Sequence, residues 1–241
     1  MNTDTTHEFL NLYRTLEDIL SSKYSGSKRR FSNAIIQFTN DDEGRAYKEE
    51  LNLFREIRNI LSHHPEIDGE SVIIPSESAI NTLKAIIHAV ENPPMALAMA
   101  TPAKNLVKAR PDTPLAEIME TMETRGFSHI PIMTGEIIQG VFSVSTLFSY
   151  YAKYGKNGIP DNTKVSHFAE FLPVDCHATE CFKFLPLSAT YYDIKDEFTR
   201  SGSRSGPKGK RLAVIFITKD GSAKNPVMGI ITPWDVIAAA T

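Results

Sequence analysis

Two stretches decide how this chain is read: GVFSVSTLF (140–148) and GIITPWDVI (229–237). Each opens on a glycine, continues through apolar residues that suit a strand, and passes a hydroxyl residue (Ser143, Thr232) into a helical pattern. They lie 89 residues apart. That is longer than a small solenoid repeat, so the spacing predicts one duplicated domain rather than an array.

Working outward, each copy shows the same order of elements. In the first, a strand is expected over 106–109, and a helix follows with Leu115, Ile118, Met119 and Met122 on one face. HIPIM (129–133), a turn at 134–136, IIQGVF (137–142) and a helix from Ser145 to about Tyr154 complete it. The second copy has FKFLPL (182–187), a helix carrying Tyr191, Ile194 and Phe198, RLAVIFIT (211–218), a turn at 219–222, VMGIIT (227–232) and a helix after Pro233. The copies differ in a connector over 157–169 and in a basic Gly/Ser loop, RSGSRSGPKGKR (200–211). Such a loop is usually a solvated insertion; its Arg200, Arg204, Lys208, Lys210 and Arg211 also suit a phosphate clamp.

A β-α-β-β-α unit repeated twice, each copy ending in Gly-aliphatic-aliphatic-Ser/Thr before a helix, resembles the cystathionine-β-synthase-type (CBS) domain pair, over roughly 95–241. The resemblance implies two pseudo-symmetric clefts, one or both of which take AMP, ADP, ATP or an adenine dinucleotide as a regulatory ligand, with no required cofactor. It also implies one complete site. Val107 would meet the adenine edge, Phe127 and Ser128 would flank the base, Arg211 would face phosphate, and Thr232 and Asp235 would hold the ribose end. Read locally, Thr232, Pro233 and Asp235 are an N-cap, a favoured first helical residue and the acid three after the cap. A capping box explains them equally well. In the other cleft Thr146 occupies the acid's place, and a hydroxyl cannot chelate two sugar hydroxyls as a carboxylate can. One functional site per chain is therefore expected.

Residues 1–94 read as about four helices. Apolar residues recur at helical spacing from Phe9 to Leu20, over 31–38, from Ala46 to Leu61 in a helix expected to start near Asp41 or Asp42 and end before Pro65, and from Ser76 to about Val90. VIIP (72–75) is expected to be extended, and Pro93–Pro94 marks a boundary. The fold class is α+β: a helical bundle over 1–94, then a tandem pair with copies at 95–156 and 165–241. The third helix ends FREIRNILSHH (54–64), and Arg58-Asn59-Ile60-Leu61-Ser62-His63 resembles the R-x4-H motif of HEPN helical domains, over residues 5–92. That resemblance implies dimers and, in active members, a metal-independent ribonuclease. His63 could then act as general acid or base and Arg58 could stabilise the transferring phosphoryl group, while Asn59 shares the face of His63. Arg58 and His63 are about 140° apart on a helix and do not converge unaided.

Composition narrows the partners. Residues 1–94 carry ten Lys+Arg against fifteen Asp+Glu, a balance of −5, and the remainder sixteen against fourteen. Neither half is a basic platform for nucleic acid, so DNA is not expected and RNA would need a local patch. No apolar run reaches the roughly 18 residues that span a bilayer. Two cysteines make no disulfide framework, which predicts a cytoplasmic protein. Cys176-His177 and Cys181, with His167 upstream, form at most a partial metal site with no CxxC pair, His64, His88 and His129 lack ligand spacing, and no metal is expected. The reading is a homodimeric regulator that binds an adenosine nucleotide and signals to its helical domain. Its alternatives are a nucleotide-gated ribonuclease and a non-catalytic scaffold.

Overall fold

A computed structural model describes residues 2–25, 33–63, 66–67, 70–155, 159–202 and 209–239. Arg204 and Lys208 of the basic loop, Phe31, His64, Pro65 and Asn157 lie outside the described residues. The chain is α+β and divides into two compact units, Met1–Pro93 and Pro94–Thr241.

The first unit contains α1 (Asn2–Lys23), α2 (Ala34–Asn40), α3 (Lys48–His63) and α4 (Glu77–Glu91), with a two-stranded ribbon of β1 (Glu66–Ile67) and β2 (Glu70–Ser71). Phe9, Tyr13, Leu16 and Leu20 follow one face of α1 and are buried against Phe38, Leu51, Phe54, Leu83 and Ile86. Burying each such side chain contributes about 1.5–3 kcal/mol. The Ser76 hydroxyl accepts from the Ala79 N–H at 3.2 Å and starts α4 where the pattern placed it. The third helix starts later than the sequence suggested. Asp41 instead closes α2, its N–H donating to the Phe38 carbonyl while its carboxylate accepts from the Tyr24 hydroxyl at 2.6 Å. Asp42 pairs with Arg45 at 2.7 Å, and a 3₁₀ turn (Arg45–Tyr47) precedes α3. Short acidic side chains that bond locally compete with helix initiation. In the ribbon, 66–67 and 70–71 are the paired residues, and 72–75 follows it without a strand partner.

The second unit opens with α5 (Ala96–Met99) and β3 (Thr101–Pro102). It continues with α6 (Leu115–Arg125), β4 (His129–Thr134), β5 (Ile137–Ser143) and α7 (Val144–Tyr154). The second copy is β6 (Glu180–Pro186), α8 (Tyr191–Gly202), β7 (Arg211–Thr218), β8 (Val227–Ile231) and α9 (Pro233–Ala239). Its sheet runs β3-β8-β7-β6, with β6 and β7 parallel over seven residue pairs, while β4 and β5 form an antiparallel pair. The predicted strand at 106–109 shrinks to a single parallel bridge, Ala109 to Ile132. A 3₁₀ turn (Ala103–Asn105) and Pro111 leave it too little chain. On α6, Leu115 and Ile118 are buried as expected, whereas Met119 faces outward, 46% exposed.

The opening segment packs on the copy farther away in sequence. Ala96 N–H donates to the Ala189 carbonyl at 2.9 Å, and Ala96 and Ala100 join Ile194, Ile215 and Ile231 in one core. A shared core then joins the copies, with Met133, Ile138 and Val141 against Val214, Phe216 and Val227. Both motif glycines sit at close approaches. A Cβ on Gly140 would collide with the Leu172 carbonyl, and one on Gly229 would lie 3.0 Å from the Ala100 Cβ.

Candidate functional site

The second unit holds a cavity of about 290 Å³. Val107, Phe127, Ser128, Thr232 and Asp235 line it together, joined by His129 and Trp234. Local backbone chemistry places them. Gly126 ends α6 at φ 68°, in the left-handed region open to glycine, and the turn delivers Phe127 and Ser128 to the wall. On the opposite wall, both the N–H and the hydroxyl of Thr232 donate to Asp235 Oδ2, each at 2.7 Å. This is the half of a capping box in which the third helical residue reaches back. Among the described residues Asp235 Oδ1 has no hydrogen-bond partner. One oxygen holds the helix start while the other is left for a donor in the cavity. Phe127 and Trp234 are 40% and 77% exposed, so planar apolar surface stands at this wall.

Arg211 is not among these lining residues. As the first residue of β7, register partner of Glu180 on β6, it lines a different, open cleft with Thr179, Glu180 and Gly209. Sequence order placed it at the end of the loop and the start of a strand; the parallel pairing with β6 decides which cleft it meets.

The mouth of α7 differs from that of α9. Ser143 and Thr146 are each 1% exposed and form a complete capping box, with Ser143 Oγ accepting from the Thr146 N–H and Thr146 Oγ1 accepting from the Ser143 N–H. The Ser143 hydroxyl donates in turn to Glu180. The same carboxylate meets His177 Nδ1 at 2.8 Å and His129 Nε2 at 2.9 Å. Burial alone would push the Glu180 carboxyl up. The hydrogen bonds from His129, His177 and Ser143 outweigh it and hold the group well below the usual carboxylate range. His177 is buried, and its Nε2 lies 3.2 Å from the Leu172 carbonyl, so both ring nitrogens face acceptors. No periodicity in the sequence could have revealed this cluster, because its members come from three separate segments, around His129, Ser143 and His177–Glu180. His167, also passed over as a metal ligand, bonds the Tyr150 hydroxyl at 2.9 Å. Among the described residues no group of three His, Cys, Asp or Glu is arranged to hold a metal ion.

In the first unit, Arg58 is half-buried, bonds Asn59 Oδ1 at 3.2 Å, pairs with Glu17 at 3.4 Å and lies 5.8 Å from the Tyr13 ring centroid. Asn59 and His63 are exposed near the end of α3, and no hydrogen bond joins Arg58 to His63.

Residues 98–153 match the CBS domain family. The matched segment runs from within α5 to near the end of α7, and the segment from β6 to α9 repeats its strand-strand-helix ending. Among solved structures, the chain is similar to CBSX2 in complex with AMP, at 17% identity over 61% of this chain and 96% of that one, TM-score 0.41. A hemolysin-like protein containing a CBS domain, from Oenococcus oeni PSU, is 15% identical over 61% of this chain and 90% of that one, TM-score 0.39. The CBS domain of a bacterial CNNM/CorC family Mg2+ transporter in complex with ATP is 16% identical over 64% and 91%, TM-score 0.39. No curated protein matches the sequence. No helix among the described residues is long and apolar enough to cross a membrane.

Proposed function

We propose that the CBS unit is a regulatory sensor that binds one adenosine nucleotide in the cavity lined by Val107, Phe127, Ser128, Thr232 and Asp235. The observation that carries this reading is the free Oδ1 of Asp235, an ionisable acceptor at the wall of a half-apolar cavity and suited to sugar hydroxyls. AMP, ADP, ATP and an adenine dinucleotide all present that ribose. Occupancy is transmitted to the helical unit by rebalancing two arrangements of a homodimer, which requires the ligand to prefer one of them. Exposed apolar residues on α7 (Val144, Phe148 at 71%, Tyr151) and α9 (Trp234, Ile237) support association of copies. The test is calorimetric titration of the full chain with AMP, ATP, an adenine dinucleotide and a guanine nucleotide. Adenine-specific binding that falls at least tenfold in Asp235→Ala is expected. Equal binding by the variant would sink the assignment.

A second reading is favoured by the exposure of Asn59 and His63 beside the tethered Arg58: a HEPN-like ribonuclease gated by the nucleotide. It predicts that His63→Ala abolishes RNA cleavage while nucleotide binding stays intact. If the protein cleaves no RNA with or without the nucleotide, the helical unit is an interaction scaffold.

A further inference from the structure

The cavity wall contains a hydrogen-bond relay that the nucleotide reading does not use. Ser128 Oγ lies 2.8 Å from His129 Nδ1, and His129 Nε2 lies 2.9 Å from Glu180 Oε2. Ser128 and His129 both line the cavity, whereas Glu180 lines the other cleft and is bound from behind by His177 and Ser143. The charged and titratable surroundings of His129 are few. From β6 come Glu180 and the edge of the Phe182 ring, centroids 6.0 Å apart; from the preceding loop His177 acts through Glu180. Ser143 is its register partner on β5, Arg211 stands beside Glu180 on β7, and Asp235 is the other titratable group lining the cavity.

The chemistry turns on the single proton of a serine hydroxyl. When His129 is neutral with its proton on Nε2, donating to the Glu180 carboxylate, Nδ1 is an acceptor and Ser128 must donate to it. A ligand acceptor placed on Ser128 claims that same proton. The hydroxyl can serve the ligand and keep its bond to the ring only if Nδ1 also carries a proton. The ring is then an imidazolium with one N–H on Ser128 and the other on the anionic Glu180.

We infer that His129 is a positioning residue that sets the donor direction of Ser128, so that a nucleotide presenting an acceptor to Ser128 binds with uptake of one proton at His129. The inference rests on the cavity reading above and deepens it: the site favours a ligand face of acceptors at Ser128, and its affinity rises as pH falls. Glu180 supplies the fixed negative charge that the cationic ring needs in a partly desolvated wall. The proton comes from solvent and returns to it when the ligand leaves.

The experiment is calorimetry of the full chain with AMP in buffers of different ionisation enthalpy, on the wild type and on His129→Gln. The phosphate of AMP titrates near neutrality, and the paired titrations subtract it. The expected result is an uptake in the wild type that exceeds the variant's by up to one proton per site. The wild type's affinity should then gain up to tenfold more per unit fall in pH than the variant's, over the range in which the uptake is seen. Should His129→Gln fold poorly, the His129 ring resonances of the wild type are followed by NMR as AMP is added, where a shift to the imidazolium position is expected. Equal proton counts in both proteins, or a ring that stays neutral at saturation, overturn the inference while leaving the cavity reading intact. If AMP does not bind, the paired titrations are run with ATP and an adenine dinucleotide, and absence of binding by all three overturns both.

Discussion

The mouths of α7 and α9 are 89 residues apart in sequence and identical in plan, yet they are solved differently. At α9 the carboxylate is local: Asp235 bonds Thr232 with one oxygen and leaves the other at a cavity. At α7 the corresponding residue is Thr146, the caps are buried, and the carboxylate arrives from the other copy as Glu180, with two histidines around it. The difference teaches how a duplicated domain divides labour. One mouth keeps its anion accessible and can exchange it for a ligand's donors. The other consumes its anion in a buried network that ties the copies together.

The largest test of that contrast is stability. Removing Glu180 strands His177 and Ser143 without their acceptor, a loss of about 3–5 kcal/mol for a broken buried pair. Asp235→Ala loses only the two bonds from Thr232 at the helix cap, about 0.5–2 kcal/mol. Thermal or urea denaturation should therefore separate Glu180→Ala clearly from Asp235→Ala, and similar losses would erase the distinction. Acid titration sharpens the same point. Glu180 is held below the usual carboxylate range when folded, so the unfolded chain takes up the proton first. Its contribution is complete above the unfolded value of about 4.3 and is lost as pH falls below it. Glu180→Gln should flatten that part of the acid stability profile, and an unchanged profile would place the acid sensitivity elsewhere.

A smaller effect compares the two motif glycines. Gly140→Ala forces a methyl into the Leu172 backbone carbonyl, which also accepts from Val141 at 2.8 Å, so a cost of about 1–3 kcal/mol is expected. Gly229→Ala meets the Ala100 side chain and the Thr101 carbonyl at 3.0 and 3.1 Å and should cost less. A reversed order in denaturation midpoints would show that the first copy is the more yielding of the two.

Much of this architecture was legible before any coordinates. The position of Ser76 as a cap, the glycine-led strands and the pairing of Thr232 with Asp235 are local, because turns, caps and three-residue spacings are written in neighbouring residues. α3 starts late because Asp41 and Asp42, which look like helix starters, serve Tyr24 and Arg45 instead. The strand at 106–109 was overestimated because an apolar run says nothing about how much partner strand will be available to it.

The sequence by itself determined the duplication and the helical first unit, since each follows from periodicity or from a motif a few residues long, whereas the five residues that line one cavity were implied by the family resemblance. Only the tertiary structure decided that Arg211 belongs to the other cleft, that residues 96–102 pack on the second copy, and that His129, Ser143, His177 and Glu180 meet. Those placements depend on strand register and on packing between segments as distant as Thr101 and Ile230, and no local preference of the chain encodes them.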